Sequence, residues 1–254
     1  MATEGQRVEH RDPAVAAGAA DAGGPQRQLV LAFPLGSRCR FEDFVPGTNG
    51  EVVAVLRGLD ASAGRFRAIL LTGSRGTGKT HLLQATCRLH GDAPGGTIYL
   101  PLADRALDPS ALEGLEHCAV VALDDIDAWL GDAERERALL ALYQGMTACG
   151  GTLLAAAASG PAALEAHYPD LLSRLRAFTV YSLQPLDDVG KATVLRRLAA
   201  ARGLELAQPV LDYWLSRGGR ELASLIAQFE ELDAAALAAQ RRVTVPLLKS
   251  VLGM

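Results

Sequence analysis

The sequence predicts an α/β protein: a five-stranded parallel sheet with helices on both faces, followed by a small all-helical domain. Three observations carry this expectation. From about residue 41, short apolar runs alternate with helix-period stretches. The first run ends in a glycine-rich loop, and a third run ends in paired carboxylates. After Pro185 the strand-like runs cease and only helical periods remain. Strand–helix alternation of this kind places parallel strands between two helical layers.

The elements follow in order. Residues 1–27 are rich in Ala, Gly, Asp and Pro without a hydrophobic period, and read as a disordered tail. Residues 28–40 hold a short apolar run, Gln28 to Phe33, and a linker. A nucleotide-binding domain is expected over 41–184, with strands at Ala68–Thr72, Thr97–Leu100, Ala119–Leu123, Thr152–Ala157 and Phe178–Leu183. These runs are short and continuous, as buried parallel strands are. The Ala-rich fourth run has the weakest strand character, since alanine favours helix. A helical lid is expected over 185–254, with helices near 186–202, 209–217, 220–240 and 244–252. Gly203 and Gly218-Gly219 punctuate them, and Pro209 and Pro246 suit first-turn positions.

Composition narrows the function classes. The chain has 254 residues, 49% of them hydrophobic, and a formal charge of -4 with no basic block. Tight binding to bare DNA would ask for a more basic surface, so any role on DNA is expected to run through a partner. No apolar run approaches the roughly 18 to 20 residues of a membrane span. The N-terminus lacks a secretory layout, so a cytoplasmic protein is expected. The four cysteines, Cys39, Cys87, Cys118 and Cys149, form no C-x-x-C pair and read as buried free thiols.

Residues 73–80 read Gly73-Ser74-Arg75-Gly76-Thr77-Gly78-Lys79-Thr80. This is G-x-x-x-x-G-K-[ST], with a strand before it and a helix after it, the context the motif requires. The glycines let successive N–H groups turn toward phosphate oxygens, and the helix N-terminus adds its positive end. Lys79 neutralises the β- and γ-phosphates of ATP or ADP, and the Thr80 hydroxyl suits Mg²⁺. At this composition chance would produce the pattern only about 0.003 times. Val120 to Asp125 is an apolar strand ending in two acids. Asp124 is expected to hold Mg²⁺ through water and Asp125 to orient the water attacking the γ-phosphate.

With these motifs, further segments resemble the AAA+ ATPases of the DnaA group, and most closely the Hda-type regulatory inactivators of the bacterial replication initiator DnaA. They are Phe41-Glu42-Asp43-Phe44-Val45-Pro46-Gly47-Thr48-Asn49, Tyr99-Leu100-Pro101-Leu102, Leu112 to Glu116, Asp124-Asp125-Ile126-Asp127 with Gly131-Asp132, Leu183 to Asp188, and Ala239 to Arg242 with Thr244-Val245-Pro246. The resemblance spans about residue 28 to the C-terminal residue. It implies that Phe44 and Val45 pack over adenine. It implies that Gln28, Leu29, Leu31 and Phe33 form a peptide, Q-L-x-L-x-[FL], for an apolar groove on the DNA polymerase sliding clamp. In Asp170-Leu171-Leu172-Ser173-Arg174-Leu175 it implies an arginine finger at Arg174, with Arg176 as the fallback. The plain alternative for Arg174 is a surface pair with Asp170 four residues before it. The implied partners are DnaA, the clamp (with DNA contacted mainly through it) and side-by-side copies of AAA+ proteins. The implied action is stimulation of hydrolysis of DnaA-bound ATP.

Two positions depart from the pattern. Where AAA+ proteins carry a polar γ-phosphate sensor after the fourth strand, this chain has Ala155-Ala156-Ala157-Ala158-Ser159, so only Ser159 is available. Where Hda-like lids carry a sensor arginine, an ungapped reading gives Ala223, with Arg220 one turn earlier as the substitute nucleotide ligand. Both departures point to weak intrinsic hydrolysis. Among rivals, a DnaA-type initiator would need a DNA-binding domain after the lid, and the sequence stops at Met254. A helicase-loader-like ATPase on single-stranded DNA would not need the Gln28–Phe33 peptide. A pure adaptor with a vestigial site would not need Lys79, Thr80 and Asp124.

Overall fold

The computed structural model describes residues 35, 39–61, 64–217, 221–239 and 242–253. The predicted tail, the peptide residues Gln28, Leu29, Leu31 and Phe33, and Arg220 lie outside the described residues. The five expected strands form one parallel sheet: β1 (Arg67–Thr72), β2 (Thr97–Pro101), β3 (Val120–Asp124), β4 (Thr152–Ala157) and β5 (Thr179–Ser182), in the order β2-β3-β4-β1-β5. Crossing from β1 past β4 and β3 to β2 requires a helical connection, and α2 (Lys79–Leu89) supplies it.

Alternation along the strands feeds two separate layers. Leu70, Leu100, Val121, Leu123 and Leu153 pack with Leu139, Leu142 and Met146 of α3 (Ala133–Cys149) and Leu171 and Leu175 of α4 (Pro169–Arg176). Ile69, Leu71, Val120, Ala122 and Leu154 pack with α1 (Gly50–Arg57) and with Leu82 and Leu83 of α2. Each fully buried Leu, Val or Ile contributes roughly 1.5–3 kcal/mol. The Ala-rich run is a true strand, wholly buried between β3 and β1. Burial on both faces there outweighs alanine's helical preference, because small side chains let the two helical layers approach the middle of the sheet.

Two expectations need correction. The fifth run is not buried throughout: β5 is the edge strand, Thr179, Val180 and Ser182 are exposed, and Phe178 packs inward just before it. One neighbour, β1, covers one edge only. Nor are all four free thiols buried. Cys87 is; Cys39 and Cys118 are half-buried; Cys149, in the last turn of α3, is exposed. Burial pushes the Cys87 thiol up to about 12, which keeps it protonated.

After residue 185 come four helices: α5 (Asp188–Ala200), α6 (Gln208–Arg217), α7 (Leu222–Ala239) and α8 (Val245–Leu252). Asp187 caps α5 by accepting from the Gly190 amide at 2.7 Å, and Thr244 caps α8. These helices share a core of their own around Trp214, Phe229, Leu195 and Leu211. The buried indole N–H of Trp214 donates to Gln228 at 2.8 Å, so the polar end of that ring is satisfied.

Several contacts tie these helices, and the Gln184–Leu186 segment before them, to the rest of the chain. Asn49 donates through its side-chain amide to the Gln184 carbonyl at 2.9 Å and accepts the Gln184 amide at 2.8 Å. Arg197 of α5 donates to the Glu42 carbonyl at 3.1 Å. Leu186 closes on Gly47, where an added Cβ would stand 2.8 Å from its methyl group.

Candidate functional site

The site lies where β1 ends and α2 begins. Thr72 closes the strand, residues 73–78 turn, and Gly78 in a left-handed conformation (φ +94°) launches the helix at Lys79. Glycine is required at two places in the turn. At Gly73 (φ +145°) a Cβ would meet the Leu183 carbonyl at 2.7 Å, and at Gly78 it would meet the Phe44 ring at 2.6 Å. Inside the turn, the Thr77 hydroxyl donates to the Ser74 carbonyl at 2.9 Å. Buried Lys79 reaches back over the loop, its ammonium donating to the carbonyls of Gly73 at 2.6 Å and Ser74 at 3.2 Å. The positive charge is thereby held over the residues whose backbone forms the cradle.

β3 delivers the carboxylates beside it. The Thr80 hydroxyl donates to Asp124 Oδ2 at 2.6 Å, across 44 residues of chain. The same oxygen accepts from the Tyr99 hydroxyl at 2.9 Å. Burial first, and the Asp124 charge second, push the Tyr99 phenol up, so it stays protonated and remains a donor. The backbone turns sharply after the strand: Asp125 is left-handed at φ 52°, a conformation that a short polar side chain tolerates better than a branched one. Its carboxyl is pushed above the usual range, chiefly by burial and then by Asp124 and Asp127, with Lys79 and Arg75 opposing. Asp125 is therefore an acid within the electrostatic reach of both carboxylates and both cations of the site.

A polyphosphate with Mg²⁺ fits this donor set. The cradle leaves no room for a side chain at Gly73 or Gly78, the ammonium of Lys79 is buried against it, and a hydroxyl and a carboxylate adjoin at 2.6 Å.

The structure brings together the predicted residues Gly73, Ser74, Arg75, Gly76, Thr77, Gly78, Lys79, Thr80, Asp124 and Asp125, and sets Phe44 on Gly78 with its ring 5.4 Å from His81. Val45, next to it, is half-buried. The lid approaches the loop at α7: the Ala223 amide lies 3.5 Å from where a Cβ on Gly76 would stand. The ungapped reading at Ala223 thus falls against the phosphate loop, with a methyl group and no guanidinium. Ser159 is exposed beyond the end of β4. Arg174 is held elsewhere, near the C-terminus of α4. Its Nε donates to Asp170 at 3.3 Å and its guanidinium lies 5.5 Å from the Tyr143 ring centre, with the side chain 42% exposed. The surface pair read as the plain alternative is present. Such an exposed pair is worth about 0–1 kcal/mol, too little to hold the arginine against a stronger anion.

Sequence reasoning missed four residues that organise the site: Tyr99, Asn49, Asp127 and Glu136. Asp127 accepts the Ala158 amide at 3.2 Å, so a carboxylate spans from the paired acids to the end of β4 where no side-chain sensor stands. Buried Glu136 accepts three backbone amides. None of the four was singled out for a role: Tyr99, Asn49 and Asp127 lie in segments that carry the family resemblance, and Glu136 carried no signal.

Comparison with known proteins agrees with this geometry. Residues 188–252 match the family model described as Hda, lid domain. Domain III of the replication initiation protein DnaA from Thermotoga maritima superposes with a TM-score of 0.74 at 19% identity, covering 87% of this chain and 98% of that one. AMPPCP-bound DnaA from Aquifex aeolicus gives 0.62 at 21%, covering 77% of this chain and 66% of that one. The RuvB Holliday junction branch migration motor of Thermotoga maritima gives 0.57 at 14%, covering 74% and 61%. At these identities the likeness is one of fold, shared with DnaA and RuvB. Residues 188–252 thus resemble an Hda lid domain, and the fold of the chain resembles that of DnaA domain III.

Proposed function

We propose that this chain is a regulatory inactivator of the initiator DnaA: it binds adenine nucleotide in its own cradle, docks on the DNA-loaded sliding clamp, and presents Arg174 to the ATP of DnaA. The observation that carries the reading is the union of an intact phosphate cradle with a lid of Hda type. In this reading residues 41–184 form the nucleotide-binding domain and 185–254 the lid.

The residues divide the work as follows. Lys79 and the amides of residues 73–78 hold the phosphates of ADP or ATP, and Phe44 and Val45 face the base. Thr80 and Asp124 would hold Mg²⁺, which would supply positive charge to the phosphates. Tyr99 fixes the Asp124 carboxylate from behind. Asp125, beside them, is placed to act on water at the γ-phosphate, and Arg220 completes the lid side of the nucleotide. Arg174 acts outside its own cradle. Its guanidinium stabilises charge on the phosphoryl group that DnaA's ATP transfers to water. The peptide Gln28–Phe33 is read as the clamp ligand, with Leu31 and Phe33 for the apolar groove, Gln28 at its rim and Leu29 beside it, so the protein works in the cytoplasm on DNA that has just been copied.

The test is reconstitution of clamp loaded on DNA, ATP-DnaA and this protein, following phosphate release. Stimulation is expected with the native chain, and none with Arg174→Ala or without clamp. Pull-down on the clamp is expected to fail with Phe33→Ala. Undiminished stimulation by Arg174→Ala would remove Arg174 from the mechanism and turn attention to Arg176. Clamp-independent capture of single-stranded DNA would favour a helicase loader instead.

A further inference from the structure

Glu136 is a carboxylate with no exposed surface, one turn into α3. It makes no ion pair among the described residues; instead its two oxygens accept three backbone amides from two distant segments. Oε1 accepts Gly131 N–H at 2.6 Å and His167 N–H at 2.8 Å, and Oε2 accepts Tyr168 N–H at 2.8 Å. The two segments are not arbitrary. Gly131 ends the short 3-10 stretch Ile126–Trp129 and its turn, which begins at Asp125. Tyr168 is the N-cap of α4, the eight-residue helix that carries Arg174.

We infer that Glu136 is the positioning residue that couples the nucleotide cradle to the arginine-bearing helix, a deepening that rests on the cradle reading above. A buried charge is tolerated only where its hydrogen bonds are made, so the three donors are bound to move together with it. One link runs back to the cradle. Thr80 and Asp124 share a direct hydrogen bond at 2.6 Å, and Asp124 Oδ1 accepts the Asp125 amide at 3.2 Å. Any change at Asp124 when Thr80 turns from it toward a bound nucleotide and its metal would pass through the Asp125 amide into the Asp125–Gly131 stretch. The other link runs forward. The negative charge at the start of α4 satisfies amides there that have no helical partner, and so fixes the helix along the axis on which Arg174 sits. Asp127, accepting Ala158 N–H, ties the same stretch to β4 and keeps it from absorbing the shift locally.

The test uses hydrogen exchange of the full chain with and without ADP and Mg²⁺, in the native protein and in Glu136→Gln. The Gln side chain keeps the size but sets an N–H₂ against one donor. In the native protein the amides of 167–172 are expected to exchange about tenfold more slowly with ADP. In Glu136→Gln that response should fall below about twofold, with ADP affinity within about threefold of native. Should Glu136→Gln fail to fold, Glu136→Asp, which keeps the charge and shortens its reach, carries the same comparison. A lower Tm with an unchanged ADP response would make Glu136 merely structural and overturn the inference. So would ADP binding by the native protein with no change at 167–172. Failure of the native protein to bind ADP would sink the cradle reading and this one together, and is told apart by calorimetry alone.

Discussion

The molecule treats its two functional arginine- and lysine-bearing regions in opposite ways. At the head of α2, Lys79 is buried, its ammonium holds two carbonyls, and the adjoining Asp124 takes two hydroxyl donors. Near the end of α4, Arg174 is 42% exposed and is paired with a single carboxylate that is itself 53% exposed. The first arrangement is assembled in advance: charges already desolvated need little rearrangement when a polyphosphate arrives. The second is loose at its tip and firm at its root, where buried Glu136 anchors α4. In the proposed function, an arginine that enters another subunit's site is best held so, by a contact weak enough to exchange. In the proposed function this contrast is that between a site acting in cis and a group acting in trans.

Five measurements break or sharpen that contrast. The largest effect is expected for Arg174→Ala. An arginine finger supplies on the order of 10³-fold or more in rate, so stimulation of DnaA's hydrolysis should fall by about that factor. Its nucleotide affinity by calorimetry should be unchanged. Lys79→Ala is the mirror image: ADP and ATP affinity should drop about 100-fold by calorimetry, because a charge-assisted contact to phosphate is lost from a desolvated site. If the two substitutions produce the same pattern, the division into cis and trans is wrong. Next, Tyr99→Phe removes one donor from buried Asp124 without opening a cavity. A bond to a charged group is worth about 1.5–3 kcal/mol. The Mg²⁺-dependent part of nucleotide affinity should weaken about tenfold, while the affinity measured in chelator stays put.

Smaller effects test the loose side. Asp170→Ala deletes the partner of Arg174, yet thermal unfolding should move by less than about 0.5 kcal/mol. Stimulation of DnaA should be retained or rise slightly, since a competing anion is gone. The smallest effect concerns Asp125. Its carboxyl lies above its ordinary value of 3.8, so the folded chain binds that proton more tightly than the unfolded chain does. Stability is then fully retained below the ordinary value and falls as pH rises through the window up to the raised one. Asp125→Asn removes that penalty. Its Tm should exceed the native one by a degree or so at pH 7, and the two should converge in acid below 3.8. A Tm gain that persists in acid would put its cause in packing, not charge.

How much of this was legible beforehand follows from the range over which each signal acts. The phosphate loop is local: eight consecutive residues state both the conformation and the chemistry, and the structure places Lys79, Thr80 and the flanking strand and helix as read. The strands were legible because burial on two faces leaves continuous apolar runs, even where alanine's own preference pointed to helix. β5 was misjudged as buried because a short run says nothing of which place it takes in the sheet; only the pairing reveals an edge. Tyr99, Asn49 and Glu136 were invisible for the same reason in stronger form. Their partners lie 25, 135 and up to 32 residues away. A carboxylate in α3 looks like any other solvated face of a helix until the fold closes over it. Arg174 remains a case where both readings of the sequence coexist: the surface pair is formed, and it is weak enough to be abandoned.

Asn49 carries a mechanical consequence. Both halves of its amide are engaged by the backbone of Gln184, donor and acceptor alike, so the chain up to that point is pinned to the body of the sheet. Asp187, three residues on, is already committed to capping α5. Rotation of the lid as a unit is therefore confined to the bonds of Pro185, Leu186 and Asp187, with proline fixing the first of them. In the proposed function, a lid swing that admits nucleotide turns on this three-residue axle and parts Arg197 from the Glu42 carbonyl.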